Sequence, residues 1–339
     1  MNKESIYDLF IKAYNNDKAF IKKWIVSWDY QIKRNKRDQK YSQKLPDDFL
    51  KYQGEKDLVK WMKWFLPVYP DYIGTERLQH LIHESIENDK RIISELGLEY
   101  DFSDYHLNVG LNNAHDFFIP QMIPAQERYK IKNVLDFGAG YGRQANLWSA
   151  ASDSIYMAMD AIPNSYCLQN VYFHKLGKPV YDYAENPSDF KFDNDKKGIY
   201  HLPTWRYDLI PDNSFDLVIC LQVLPELNSI LVKAMLRQFN RILKPGGMLY
   251  IRDNAYSWKP AGKVNVENFL QHNNFVLEYK AHVIDNIDIV GVPRLWRKTD
   301  PKVTASQMYN FNHKMKQFVI DADAFFGGRL KRVKNKISK

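Results

Sequence analysis

The chain has 339 residues, 45% hydrophobic and 26% charged, which allows a packed globular core and argues against wholesale disorder. Its formal charge is +8, yet six Lys/Arg and no acid lie between Arg329 and Lys339, leaving 42 basic against 40 acidic residues elsewhere, so the body of the chain offers no general nucleic-acid surface. The two cysteines, Cys167 and Cys220, stand 53 positions apart with neither CxxC spacing nor a histidine cluster, which excludes metal knuckles and disulfide frameworks and leaves buried, reduced thiols.

The N-terminal stretch MNKESIYDLFIKAYNNDK alternates charges with single apolar residues and has no secretory h-region. No apolar run reaches the roughly 18 residues of a membrane span. The expectation is a soluble, cytoplasmic protein. Residues 1–118 read as a helical extension or lid. Leu58–Leu66 (LVKWMKWFL) and Leu78–Gly97 carry apolar residues at three- and four-residue spacing, with Gly97 placed as a helix stop.

From about 119 to 300 short apolar strands alternate with helices. The expected strands are Asn133–Phe137, Ile155–Asp160, Leu217–Leu221 and Met248–Arg252, followed by Val276–Val283 and Ile287–Trp296. A helix is expected over Ser229–Leu243. Such alternation demands parallel pairing through crossovers, whereas the last two strands, with no helix between them, suggest an antiparallel hairpin at a sheet edge. Polar, Pro/Gly-punctuated Asp182–Pro203 reads as an inserted loop. Residues 301–339 read as a C-terminal helix, about Ala305–Phe325, followed by the basic tail. That tail suits either a solvated terminus or peripheral contact with anionic lipid at the inner membrane face.

The chemistry concentrates where the first strand ends. Asp136 is followed by Gly138, Gly140 and Gly142 and then a helical pattern, an arrangement in which backbone N–H groups can approach a ligand without interference from Cβ atoms. Gly140-x-Gly142-x-x-Ala145 also satisfies the looser dinucleotide fingerprint, but an acid two residues before the first glycine suits an ammonium group better than a pyrophosphate. Asp160 closes the second strand 20 residues beyond Gly140, at the sheet position that commonly takes ribose hydroxyls. Ala161 and Ile162 then offer an apolar surface for an adenine face.

Two further stretches complete a pattern, Ser214-Phe-Asp-Leu-Val218 and Leu243-Lys-Pro-Gly-Gly247. Together with Asp136-x-Gly-x-Gly-x-Gly and Asp160, they resemble class I S-adenosylmethionine (SAM)-dependent methyltransferases, with four motifs in the family's order over roughly 120 residues. The resemblance implies a doubly wound, Rossmann-like, seven-stranded and mostly parallel α/β sheet in residues 119–300, with SAM as cofactor. It places Gly138, Gly140 and Gly142 against the cofactor, Asp136 near its amino group and Asp160 on its ribose. Asp208 and Leu209 fall near the adenine, although the spacing from Asp208 to Ser214 is shorter than the common pattern. Gln222, directly after the fourth strand, falls near the sulfonium.

A hydroxyl acceptor needs a base within hydrogen-bond reach. Glu226 stands where many family members carry histidine, His115 precedes the first strand, and Asp253 ends the fifth beside Arg252; Arg252 and Asp253 could bind the acceptor or pair with each other. No metal is expected. The fourth strand is not followed by the tetrapeptide that grips a flipped adenine in nucleic-acid methylases. Met159–Gly177, behind a helical region of this size, resembles bacterial sugar O-methyltransferases. That likeness implies a carbohydrate acceptor of a surface glycan or glycoside, consistent with the 22 Tyr and 8 Trp.

Overall fold

The computed structural model describes residues 4–37, 47–64, 76–103, 109–122, 131–150, 154–253, 264–280 and 292–299. Among the described residues five α-helices precede the first strand: α1 (Ile6–Asp17), α2 (Trp28–Arg37), α3 (Asp57–Trp64), α4 (Glu76–Glu95) and α5 (Leu111–Met122). Local sequence sets their ends. Ser5 caps α1 by accepting from the Asp8 N–H. After α4, Gly97 takes φ +64° and lets the Leu98 N–H reach back to the Ile93 carbonyl, which ends the helix as expected.

The strands are β1 (Asn133–Phe137), β2 (Ile155–Asp160), β3 (Val180–Asp182), β4 (Gly198–Pro203), β5 (Phe215–Leu221), β6 (Leu243–Asp253), β7 (Phe275–Lys280) and β8 (Val292–Lys298). They form one sheet of order β3-β4-β2-β1-β5-β6-β8-β7. Pairing is parallel from β3 through β6; β8 runs antiparallel to both β6 and β7. Helices α6 (Ala145–Trp148), α7 (Pro163–His174), α8 (Ser229–Ile242) and α9 (Val266–Gln271) fill the connections. The doubly wound Rossmann-like expectation and its edge hairpin hold. Short β3 takes the strand number to eight.

One expectation is corrected. Asp182–Pro203 is not a loop throughout, because its last six residues are β4, fully buried and paired with β2 from Ile155↔Gly198 to Asp160↔Pro203. Buried His201 interrupted the apolar pattern, and the run DNDKKG before it signalled only a turn. Lys244-Pro-Gly-Gly bulges out of the β5–β6 ladder, where register jumps from Phe215↔Leu243 to Leu217↔Met248. Residues 281–291, the expected helix at 305–325 and the basic tail at 329–339 lie outside the described residues.

Both faces of the sheet are covered. Leu135, Phe137, Met157, Met159, Val218 and Ile251 pack with α8 and with Phe10, Ala13 and Tyr14 of α1. Val134, Tyr156, Ala158, Ile219 and Tyr250 pack on the other face with Leu58 and Met62 of α3 and Ile92 and Ile93 of α4. The helical segment therefore shares the sheet's two cores, and the boundary expected at 118 falls inside α5. No described helix is long and apolar enough to cross a membrane.

Candidate active site

In open α/β sheets ligands bind beyond the carboxyl ends of the strands, at the point where strand order reverses. Here β1 lies between β2 and β5, so that point is flanked by the turn after β1 and the chain after β5. The turn is stitched to β2 by the Gly138 N–H, which donates to the Met159 carbonyl at 2.8 Å. Gly138, Gly140 and Gly142 take φ of +73°, +63° and +91°. Two of them are also demanded by the protein's own packing. A Cβ on Gly138 would stand 2.3 Å from Val223 Cγ2, and one on Gly142 2.5 Å from Phe173 Cε1. Gly140 alone opens onto space, with only Trp61 Cζ3 of α3 nearby at 3.7 Å.

Asp136 is buried and accepts from Tyr156 Oη at 2.7 Å; burial pushes its carboxyl up to about 7. Asp160, also buried, accepts the Ala161 and Ile162 N–H groups at 2.7 and 3.0 Å through Oδ1. Its other oxygen faces Gln169, whose Nε2 lies 3.3 Å away and also donates to the Gly140 carbonyl at 2.7 Å. Burial raises Asp160 to about 7 against the opposing backbone donors of Ile162, Ala161 and Gly140. Asp160 and the glycine turn are thus brought together, as the sequence pattern required. The side chains of Ala161 and Ile162 are themselves buried.

Asp208 is placed differently. It sits on a short 3-10 segment, exposed, with Arg206 Nε and Nη2 on its two oxygens at 3.1 and 3.2 Å. The residue level with the end of β2 across the ladder is Pro203, followed by Thr204, whose hydroxyl donates to the Val26 carbonyl at 2.9 Å. Leu209 packs half-buried against the α8-side core. Gln222 is exposed directly after β5 and takes φ +59°, a left-handed conformation unusual for a residue with a side chain.

The three base candidates occupy unlike surroundings. Glu226 is ion-paired with Arg34 of α2 at 3.1 Å, and Tyr30 Oη donates to its carbonyl at 3.2 Å; burial raises its carboxyl while Arg34 opposes. His115 is buried on α5 and pushed down to about 4, chiefly by desolvation, so it is neutral at pH 7. Asp253 ends β6 fully buried. Neither of its oxygens makes a hydrogen bond among the described residues, and burial raises it to about 7 despite the charges of Arg294 and Arg252. Arg252 pairs with Asp116 at 2.8 Å through both Nε and Nη2. Asp116 also takes Arg143 Nη2 at 2.6 Å and Tyr250 Oη at 2.9 Å, which pins α5 to the glycine turn and to β6. Among the described residues no group of three or more His, Cys, Asp or Glu is arranged to hold a metal ion.

Residues 118–285 match a family of methyltransferase domains. The chain carries a methyltransferase domain. Its cofactor is SAM. No curated protein sequence matches the chain. Among solved structures it is similar to the N-methyltransferase NodS of Bradyrhizobium japonicum in complex with S-adenosylhomocysteine (SAH), at 14% identity and TM-score 0.41, covering 64% of this chain and 99% of that one. It is also similar to a TehB-like SAM-dependent methyltransferase of Corynebacterium glutamicum, at 14% identity and TM-score 0.38, covering 64% and 98%. The methyltransferase domain's own residues fit the cofactor. Gly140 leaves its backbone open, and the raised carboxylates Asp136 and Asp160 are groups that a cation and a pair of hydroxyls would stabilise in ionised form.

The sequence reading missed Trp61, which stands beside the glycine turn and whose buried indole N–H has no hydrogen-bond partner among the described residues, and the Arg34–Glu226 pair. Both reach the strand ends from helices far away in the chain, and no local spacing signals them.

Proposed function

We propose that the domain methylates a hydroxyl of a small polar acceptor, with a sugar as the acceptor class, and that Asp253 takes the hydroxyl proton. The observation carrying this reading is the buried Asp253 carboxyl. Its two oxygens accept no hydrogen bond among the described residues, and burial raises it to about 7, as a proton acceptor working near neutrality requires. Bound SAM supplies a methyl group on a positively charged sulfur that leaves as a neutral thioether.

Everything else is positioning, which can supply roughly 7–11 kcal/mol of the barrier. In this reading the Gly140 backbone and Trp61 border the cofactor, with Gly138 and Gly142 shaping the turn. Asp136 faces the cofactor's ammonium and Asp160 accepts from its ribose. Ala161 and Ile162 hold Asp160 through their N–H groups. Gln222, in its left-handed conformation, lies toward the reacting end. Asp208 and Leu209 are set apart from this group. His115, neutral and buried, and Glu226, held by Arg34, shape the acceptor side without taking the proton.

The test is a turnover assay on a panel of sugars, glycosides and amines with wild type and Asp253→Asn. Methylation of a hydroxyl acceptor that collapses in Asp253→Asn supports the reading. Methylation confined to amines, undiminished in Asp253→Asn, sinks it.

A further inference from the structure

Behind Asp160 lies a buried chain of hydrogen bonds that the proposed chemistry does not use. Asp182 at the end of β3 meets His201 Nδ1 of β4 at 2.7 Å, and His201 Nε2 meets Gln169 Oε1 of α7 at 2.9 Å. Gln169 Nε2 then reaches both the Gly140 carbonyl and Asp160 Oδ2. All three side chains are at least nine-tenths buried, and Tyr166 stacks on the His201 ring at 3.6 Å.

The polarity of this chain is fixed by its ends. The Gly140 carbonyl and Asp160 Oδ2 are acceptors, so the Gln169 group facing them is its NH₂, which leaves the amide oxygen toward His201. His201 Nε2 therefore donates. At the other end Asp182 already accepts from Tyr166 Oη, Asn170 Nδ2 and the Ala184 N–H. Burial works to raise its carboxyl, but His201 and these donors hold it below the usual range, so Asp182 is an ionised acceptor facing Nδ1. An inverted Gln169 amide would set its oxygen against two other acceptors and its NH₂ against a ring N–H.

We propose that Gln169 is a positioning residue that latches the glycine turn to the carboxylate closing β2, and that the Asp182–His201 pair sets the direction of its amide. The inference rests on the cofactor-site reading above. The latch spans the two segments expected to grip opposite sides of the nucleoside, so it fixes their separation before the cofactor arrives, and preorganisation of this kind appears as affinity.

The experiment is calorimetric titration of SAH into wild type, Gln169→Met, Gln169→Glu and, as reference, Asp160→Ala, with thermal melts of each. Gln169→Glu keeps an acceptor for His201 and turns the NH₂ donor into an oxygen facing the Gly140 carbonyl and Asp160, so it is a second way to break the latch if the Gln169→Met protein does not fold. Both Gln169 variants are expected to weaken SAH by about tenfold or more, and to raise the KM for SAM more than they lower kcat. A purely structural role would lower the melting temperature and leave Kd alone. Wild-type Kd in either folded Gln169 variant overturns the latch. If Asp160→Ala loses SAH while the Gln169 variants bind normally, the latch alone fails; if Asp160→Ala binds SAH like wild type, the cofactor reading fails with it.

Discussion

The two sides of the strand-end crevice hold their carboxylates in opposite ways. On the β1–β2 side, Asp136 has Tyr156 and Asp160 has two backbone donors and Gln169, so each is oriented by the protein alone. On the β6 side, Asp253 is equally buried and accepts no hydrogen bond among the described residues. A buried polar group without a partner costs on the order of 1–3 kcal/mol. On the proposed reading, the first side is prearranged for the cofactor and the second holds the group that meets the acceptor.

The contrast is broken most directly at Asp253. Asp253→Asn removes the proton acceptor while keeping shape, and is expected to lower kcat by about 10²–10⁴-fold with SAH affinity unchanged. Steady-state kinetics beside calorimetry checks both halves. Asp160→Ala should do the reverse, weakening SAH by roughly 10–100-fold through lost charge-assisted hydrogen bonds, each worth about 1.5–3 kcal/mol. A variant that lost both properties equally would erase the division between the two sides.

The glycines sharpen the comparison within one turn. Gly142→Ala pushes a methyl into the Phe173 ring at positive φ, and should cost about 2–4 kcal/mol of stability, read by denaturant unfolding. Gly140→Ala meets nothing closer than Trp61 and should cost only about 1–2 kcal/mol, for the left-handed backbone. Its methyl enters the open space, so its larger effect should be on SAH affinity.

A gentler test uses pH. Asp89, Asp136, Asp160 and Asp253 are each raised by burial to about 7 from an ordinary 3.8. Carboxylates raised in the fold contribute stability that is present at low pH and lost as pH rises through the folded pKa. The ligand-free protein should therefore melt several degrees lower at pH 8 than at pH 6.5. Lowered His115 acts in the opposite sense, mainly below pH 6.5. SAH should flatten the slope by favouring ionised Asp160. A flat profile without ligand would show these groups to be better solvated than their burial implies.

What the sequence disclosed followed from how local each signal was. Asp136, the glycines and Asp160 were legible because a strand, a turn and a strand end sit within 25 residues. Asp208 was misplaced because the 3-10 segment after β4 carries the acid away to pair with Arg206, leaving Thr204 at the strand end. Strand β4 was hidden by His201, whose polarity makes sense only once Asp182 and Gln169 are seen beside it. Asp116 meets Arg143 and Arg252 only because α5 brings these distant residues together. Such long-range compensation of buried charge leaves no periodic trace in a single sequence.

The smallest expected effect separates the two acids that both follow strands on the acceptor side. The Glu226 carboxylate has a fixed partner in Arg34, whereas Asp253 has no hydrogen-bond partner among the described residues. Glu226→Gln keeps the side chain's length and an oxygen for Arg34 but removes the charge. Arg34 is buried and Glu226 half-buried, but the amide still offers Arg34 an acceptor, so stability should fall by about 1 kcal/mol. SAH affinity should stay at wild type and kcat should change by no more than about threefold, because a carboxylate committed to a guanidinium is a poor proton acceptor. A loss of about 100-fold in kcat would reverse the assignment, making Glu226 the base and Arg34 the group that releases it when the acceptor binds.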